Sequence, residues 1–214
     1  MLKNLLFAAP IVLLFVNGCV KQQPPGSVAQ TNQVTALPAP SPINYMVPGT
    51  VPVIAQTKHM DCWAVTTAIL VSWKENKVIP TKDLVARLSD DLRVFYDTDA
   101  GIDQKDQARL IAQIPFKQEA PQNYSVAGWL SLLKSAGPLW VTTAFPLPGK
   151  KWGLHARVVS GINGDGTPDG TTLHLIDPDG GKVSDKTVTA FAKEMEDVAK
   201  ADGATDIRPL VIHH

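Results

Sequence analysis

Cysteine is nearly absent from this sequence: Cys19 and Cys62 are the two in 214 residues. A disulfide framework or a structural zinc site takes about four such ligands, so neither is expected. An excess of charge is missing as well. Twenty Lys plus Arg balance twenty Asp plus Glu, for a formal charge of zero. Without a basic stripe to meet phosphates, nucleic acid is not an expected partner. There is no His-Glu-x-x-His run and no other ligand cluster, so no metal and no cofactor are expected. What remains is a chain of one-domain size, 44% hydrophobic and 19% charged.

The first residues read as a leader. Lys3 supplies a positive start, and Leu5 to Phe15 is an apolar run of eleven residues. Crossing a hydrocarbon core takes about 20, so the run fits the apolar part of a secretory signal instead. Val16-Asn17-Gly18-Cys19 follows, and it resembles the bacterial lipoprotein box. That resemblance implies a signal over residues 1–18 and acylation of the Cys19 thiol. The protein is then expected to be exported and held at a bacterial membrane by two acyl chains, which anchor stably where one does not. Residues 19–47 are rich in Gln, Pro, Ser, Thr and Ala, with no apolar period of 3.6 or 2. Such a segment cannot bury enough surface to offset its chain entropy, and reads as a disordered tether.

The folded domain is expected over 48–214. Apolar positions Trp63, Val65, Ile69, Leu70 and Trp73 mark a helix from Cys62 to Asn76. Thr81 can cap a second helix running through Ser89, Asp103 to Ile114 reads as a third, and Ser125 caps a fourth over Val126 to Lys134. The pattern then turns β-rich over Pro138–Phe145, Leu154–Ile162 and Thr171–Ile176. Asn163-Gly164-Asp165-Gly166 makes the turn between the last two. A late helix is expected over Ser184–Lys200 and a closing strand over Ile207–Ile212. Helices first and an antiparallel sheet afterwards is an α+β layout.

With Cys19 given to lipid, Cys62 is the remaining cysteine. It follows the polar Lys58-His59-Met60-Asp61 and opens an amphipathic helix. The positive end of a helix and its free N–H groups favour a thiolate, the nucleophilic form of the side chain. A base is then needed, and five histidines compete. His213 and His214 sit at the chain end and are expected to be loose. His59 lies in the loop before the helix. His174 occupies a mid-strand position suited to a solvent-facing residue, and His155 stands at the start of a strand, after the loop 149–153.

Gln56-Thr57-Lys58-His59-Met60-Asp61-Cys62-Trp63-Ala64 resembles the nucleophile region of papain-like cysteine peptidases, in which a Gln stands six residues before the Cys and a Trp follows it. The Asp-Cys-Trp-Ala start, Gly137-Pro138-Leu139-Trp140-Val141 and Leu154-His155-Ala156 are similar to the C39-like and AvrRpt2-type (C70) papain-like families. The resemblance implies a papain-like fold, with the nucleophile helix packed on the sheet, and a thiol peptidase acting on peptides or proteins. It implies Cys62 as nucleophile and His155 as base. Asp177, in Asp177-Pro178 after the next strand, becomes the group that orients the base, and Gln56 an oxyanion donor. Asn163, the papain-style alternative to Asp177, sits at the wrong end of the hairpin. Asp177 also suits plain turn chemistry. Trp63 and Trp152 are the aromatics expected near substrate. A peptidoglycan amidase or endopeptidase of the NlpC/P60 type, or a non-catalytic binding module on the same scaffold, are the alternative functions. The acidic stretch Ser89-Asp90-Asp91 with Asp97 and Asp99 reads as a solvated face.

Overall fold

The stretch Cys62–Glu75 is apolar on nearly every side, and such a helix belongs inside a protein. It forms helix α1 (Cys62–Glu75), with Trp63 through Ser72 all buried. Asn76 ends it in the left-handed region at φ 50°, its N–H returning to the carbonyls of Ser72 and Trp73. The computed structural model describes residues 41–147, 151–198 and 210–214. The expected signal over 1–18, Cys19 and the tether up to residue 40 lie outside them. Among the described residues no helix is long and apolar enough to cross a membrane.

Around α1 stand α2 (Thr81–Val85), α3 (Asp90–Asp97) and α4 (Gln104–Gln113). The helix expected from a Thr81 cap through Ser89 is shorter: Pro80 holds the cap position, α2 stops at Val85, and α3 is a further helix not expected from the sequence. Ser89 is extended, and Gln113 holds the break from α4: its amide oxygen accepts the Ser89 N–H at 2.8 Å, and its amide nitrogen donates to Ser89 Oγ at 2.6 Å. Asp103 caps α4 by accepting the Asp106 N–H, and Ser125 caps α5 (Val126–Ala136) by accepting that of Gly128. Gly137 ends α5 at φ +82°, where any Cβ would collide with the Trp73 ring.

The strands are β1 (Ile43–Met46), β2 (Lys117–Gln118), β3 (Leu139–Leu147), β4 (Lys151–Gly164), β5 (Thr171–Asp177), β6 (Lys182–Thr187) and β7 (Val211–His213), with α6 (Val188–Val198) after β6. They form one antiparallel sheet in the order β2-β7-β3-β4-β5-β6, with β1 also on β4. Alternation along the strands divides two cores. Trp140, Ala156, Val158, Ile176 and Ile212 face α1 and its neighbours. Val141, Val159, Leu173, Leu175 and Val211 face α5 and α6. The architecture is α+β, as expected for a papain-like protein.

Three further expectations are corrected. Residues 43–46, counted in the tether, are a strand paired with Gly161–Gly164, because Ile43 and Tyr45 pack on the second core between flanking prolines that leave the run intact. The start expected at Ser184 for the last helix is strand β6; pairing with β5 outweighs its polar composition, and Thr187 caps α6 by accepting the Ala190 N–H. His213 and His214 are not loose. β7 lies between β2 and β3, His213 Nε2 is 2.8 Å from Glu119 Oε1, and the His214 ring packs edge-on against Phe116.

Candidate active site

Strand β4 is longer than its neighbours, and that sets up the site. One edge of β4 carries β3 along Lys151–Val159, followed by β1. Its other edge meets β5 only from Val158 onward. Residues 151–156 therefore project past the end of β5, and His155 stands on this overhang rather than at the strand's first residue. Asp177 is the last residue of β5. The register pairing Val158 with Ile176 sets Asp177 level with Arg157 and diagonal to His155.

His155 Nε2 lies 2.6 Å from Asp177 Oδ1. The same oxygen accepts the Asp179 N–H at 2.8 Å, so the Asp-Pro-Asp-Gly turn fixes the carboxylate. The His155 ring also hydrogen-bonds Cys62, which leaves Nδ1 as the nitrogen facing the thiol. Burial alone would depress the imidazole. Hydrogen bonds to Asp177 and Cys62, with negative charge at both, outweigh it and push His155 up to about 9. Asp177 moves the opposite way: burial works against its ionisation, but His155 and the more distant Arg157 hold it below the usual carboxylate range. Cys62 is the one cysteine among the described residues, with a free and partly exposed thiol. As the first residue of α1 its N–H has no carbonyl one turn behind it.

Gln56 lies across the cleft. Its backbone N–H donates to the Pro178 carbonyl at 2.8 Å, tying it to the turn that holds Asp177. Its side-chain nitrogen donates to the carbonyls of Lys58 at 2.9 Å and His59 at 3.2 Å. Asp61, buried to 1% exposure, accepts the Thr57 N–H at 3.3 Å, and burial raises its pKa.

Two cavities open on either side of His155. One, about 440 Å³, is lined by Gln56, Asp177, Arg157 and Glu194 among others. The second, about 180 Å³, borders Cys62, Trp63, Ile102, Trp140 and Leu154. Trp63 is buried and donates its indole N–H to the Ala100 carbonyl, so it packs while touching the second cavity. Trp152 lies on β4 opposite Pro146, and its side chain lies outside the described residues. The competing histidines are elsewhere engaged: His59 with Asp99, His174 with Asp185, His213 with Glu119. Asn163 is in the β4–β5 turn region, paired with Thr172.

Arg157 is a residue that sequence reasoning passed over. It is buried, donates to Thr143 Oγ1 at 2.8 Å and to Glu194, and lies over the Phe191 ring. Its place opposite Asp177 follows from the hairpin register, the one signal that would have found it.

A family model described as the papain-like cysteine protease AvrRpt2 matches residues 43–196. No curated protein matches the chain.

Proposed function

Since the chain belongs to the AvrRpt2 family of papain-like cysteine proteases, and is therefore a thiol-dependent peptidase, we propose that Cys62, His155 and Asp177 are its catalytic triad and Gln56 its oxyanion donor. The observation that carries this reading is the continuous chain of contacts from the Cys62 thiol through His155 to Asp177. Asp177 accepts from Nε2–H and so leaves Nδ1 as the base. The thiol proton moves to Nδ1, and Sγ attacks the substrate carbonyl carbon. Its π pair passes to the oxygen, which the Gln56 amide and the Cys62 N–H stabilise. The Gln56 amide nitrogen donates to the carbonyls of Lys58 and His59, and the substrate oxygen takes the place of one of these acceptors. Imidazolium Nδ1–H then protonates the departing amine, giving a thioester. Water, deprotonated by the same nitrogen, releases the acid and restores the thiol.

Alkylation by iodoacetamide, followed at Cys62 by mass spectrometry across pH, tests the pair. His155→Ala is expected to slow it near neutral pH, and Cys62→Ala to abolish hydrolysis of labelled casein. Unchanged alkylation in His155→Ala would remove the base from the reading, and persisting hydrolysis in Cys62→Ala would remove the nucleophile.

The proposal extends to the leader. A signal over 1–18, lipid on Cys19 and a tether reaching the sheet would hold the peptidase on the outer side of a bacterial membrane; the support is the leader's pattern alone. Cys19→Ser would then move the protein from the detergent phase to the aqueous phase on Triton X-114 partition.

A further inference from the structure

We infer that Asp99, on the loop between α3 and α4, is the positioning residue of the oxyanion hole; the inference rests on the assignment of Cys62 and Gln56 above. The loop from Thr57 to Asp61 delivers the chain to the nucleophile, and its polar groups are held from three sides. From inside, Asp61 takes the Thr57 N–H. From the cleft, the Gln56 amide takes the carbonyls of Lys58 and His59. From outside, the Asp99 carboxylate takes the backbone N–H of Met60 at 2.8 Å and of His59 at 3.3 Å.

An N–H and the carbonyl of the preceding residue share one planar peptide unit. Fixing the His59 and Met60 N–H groups therefore fixes the planes that carry the Lys58 and His59 carbonyls. These are the two acceptors that orient Gln56. Asp99 thus acts on the oxyanion donor through two peptide planes, without touching substrate.

Its own placement is built for the task. Asp99 sits at φ 53°, a left-handed conformation that Asp tolerates better than most side chains. Flanking residues lock the same two segments together. Lys58 Nζ donates to the Tyr96 carbonyl at 2.5 Å and lies 4.1 Å from the centre of the Tyr96 ring. The Trp63 indole donates to the Ala100 carbonyl at 3.3 Å. The hydrogen bonds to Met60 and His59 also hold the Asp99 carboxyl below its usual pKa, so the acceptor stays ionised at neutral pH.

The test separates two reactions of the same thiol. Iodoacetamide alkylation forms an S–C bond as iodide leaves and develops no charge on a carbonyl oxygen. A peptide aldehyde adds Sγ to its carbonyl carbon, the π pair moves to oxygen, and the thiol proton ends on that oxygen, so its binding uses the oxyanion hole. The variants are Asp99→Gly, which suits the positive φ, and Asp99→Asn, which keeps one acceptor. In Asp99→Gly, alkylation at Cys62 is expected within about twofold of wild type. Leupeptin affinity and casein turnover should fall together by about tenfold to a hundredfold, less than the about 10²–10³ for outright loss of a donor. Asp99→Asn should recover part of the loss.

Wild-type leupeptin affinity and turnover in Asp99→Gly would overturn the inference. So would an equal fall in alkylation, leupeptin affinity and melting temperature, which would make Asp99 a general brace. Casein hydrolysis surviving in Cys62→Ala is a separate outcome and would overturn the catalytic assignment itself.

Discussion

His155 and Asp177 come from adjacent strands but do not face each other: their 2.6 Å contact crosses the ladder diagonally, past the point where β5 ends. The residue level with Asp177 is Arg157, and the imidazole reaches the carboxylate from the overhang of β4. One side of the His155 ring is thereby left for Cys62. If Asp177 fixes the tautomer, Asp177→Asn reverses the proton demand at Nε2 while keeping the shape. Its kcat is expected to fall by about 10²–10⁴, with KM for casein changed far less. A loss confined to KM would place Asp177 in substrate binding.

The pH profile follows from the same contacts. His155 is raised from 6.5 to about 9, so an imidazolium able to protonate a leaving amine persists through neutral pH. The alkaline limb of kcat/KM is expected near pH 9, and Asp177→Asn should move it down, because the Asp177 hydrogen bond and charge both raise the ring. The folding linkage has the same sign. Stability from this proton is fully present below 6.5 and is lost as pH rises through about 9. An alkaline limb that stays in place in Asp177→Asn would uncouple the two groups.

The local features of this fold are legible in its sequence. Ser125 caps the helix it was expected to cap, the helix expected from Asp103 starts there, and the turn expected at Asn163–Gly166 lies where β4 gives way to the 165–170 loop, because each is decided within a few residues. Elements decided by distant partners are not. β6 carries one large apolar residue, Val183, and owes its form to β5; β1 hides among prolines until β4 pairs with it. The site divides in the same way. Cys62, His155 and Asp177 are visible as a helix start, a strand and a turn, with a family resemblance to connect them. Asp99 looks like one more solvated acid, since the two N–H groups it captures lie about 40 residues away. Arg157 is read as an ordinary strand residue until the register sets it against Asp177.

Arg157 gives a third prediction. It bridges β3 and α6 through Thr143 and Glu194, and its charge helps to hold Asp177 ionised. Arg157→Gln removes a charged hydrogen bond from a buried position and leaves Glu194 with Lys186 alone. A loss of about 1.5–3 kcal/mol in urea unfolding is expected. Because the charge acts on Asp177, the acid limb of kcat/KM should also shift upward. Destabilisation with an unmoved acid limb would confine Arg157 to packing.

His214 sets the acid stability of the far side of α1. Burial against Phe116 and the positive charge of Lys74 depress its pKa from 6.5 to about 4. The unfolded chain therefore binds a proton between about 4 and 6.5 that the folded protein refuses, so stability rises with pH across that window. On acidification the contribution is intact above 6.5 and is lost as pH falls toward 4. His214→Phe keeps an aromatic ring beside Phe116 and has no proton to take up. Its melting temperature should fall less than that of wild type between pH 6.5 and 4, with the two curves running parallel above 7. Parallel curves throughout would mean that the ring is solvated in the folded state.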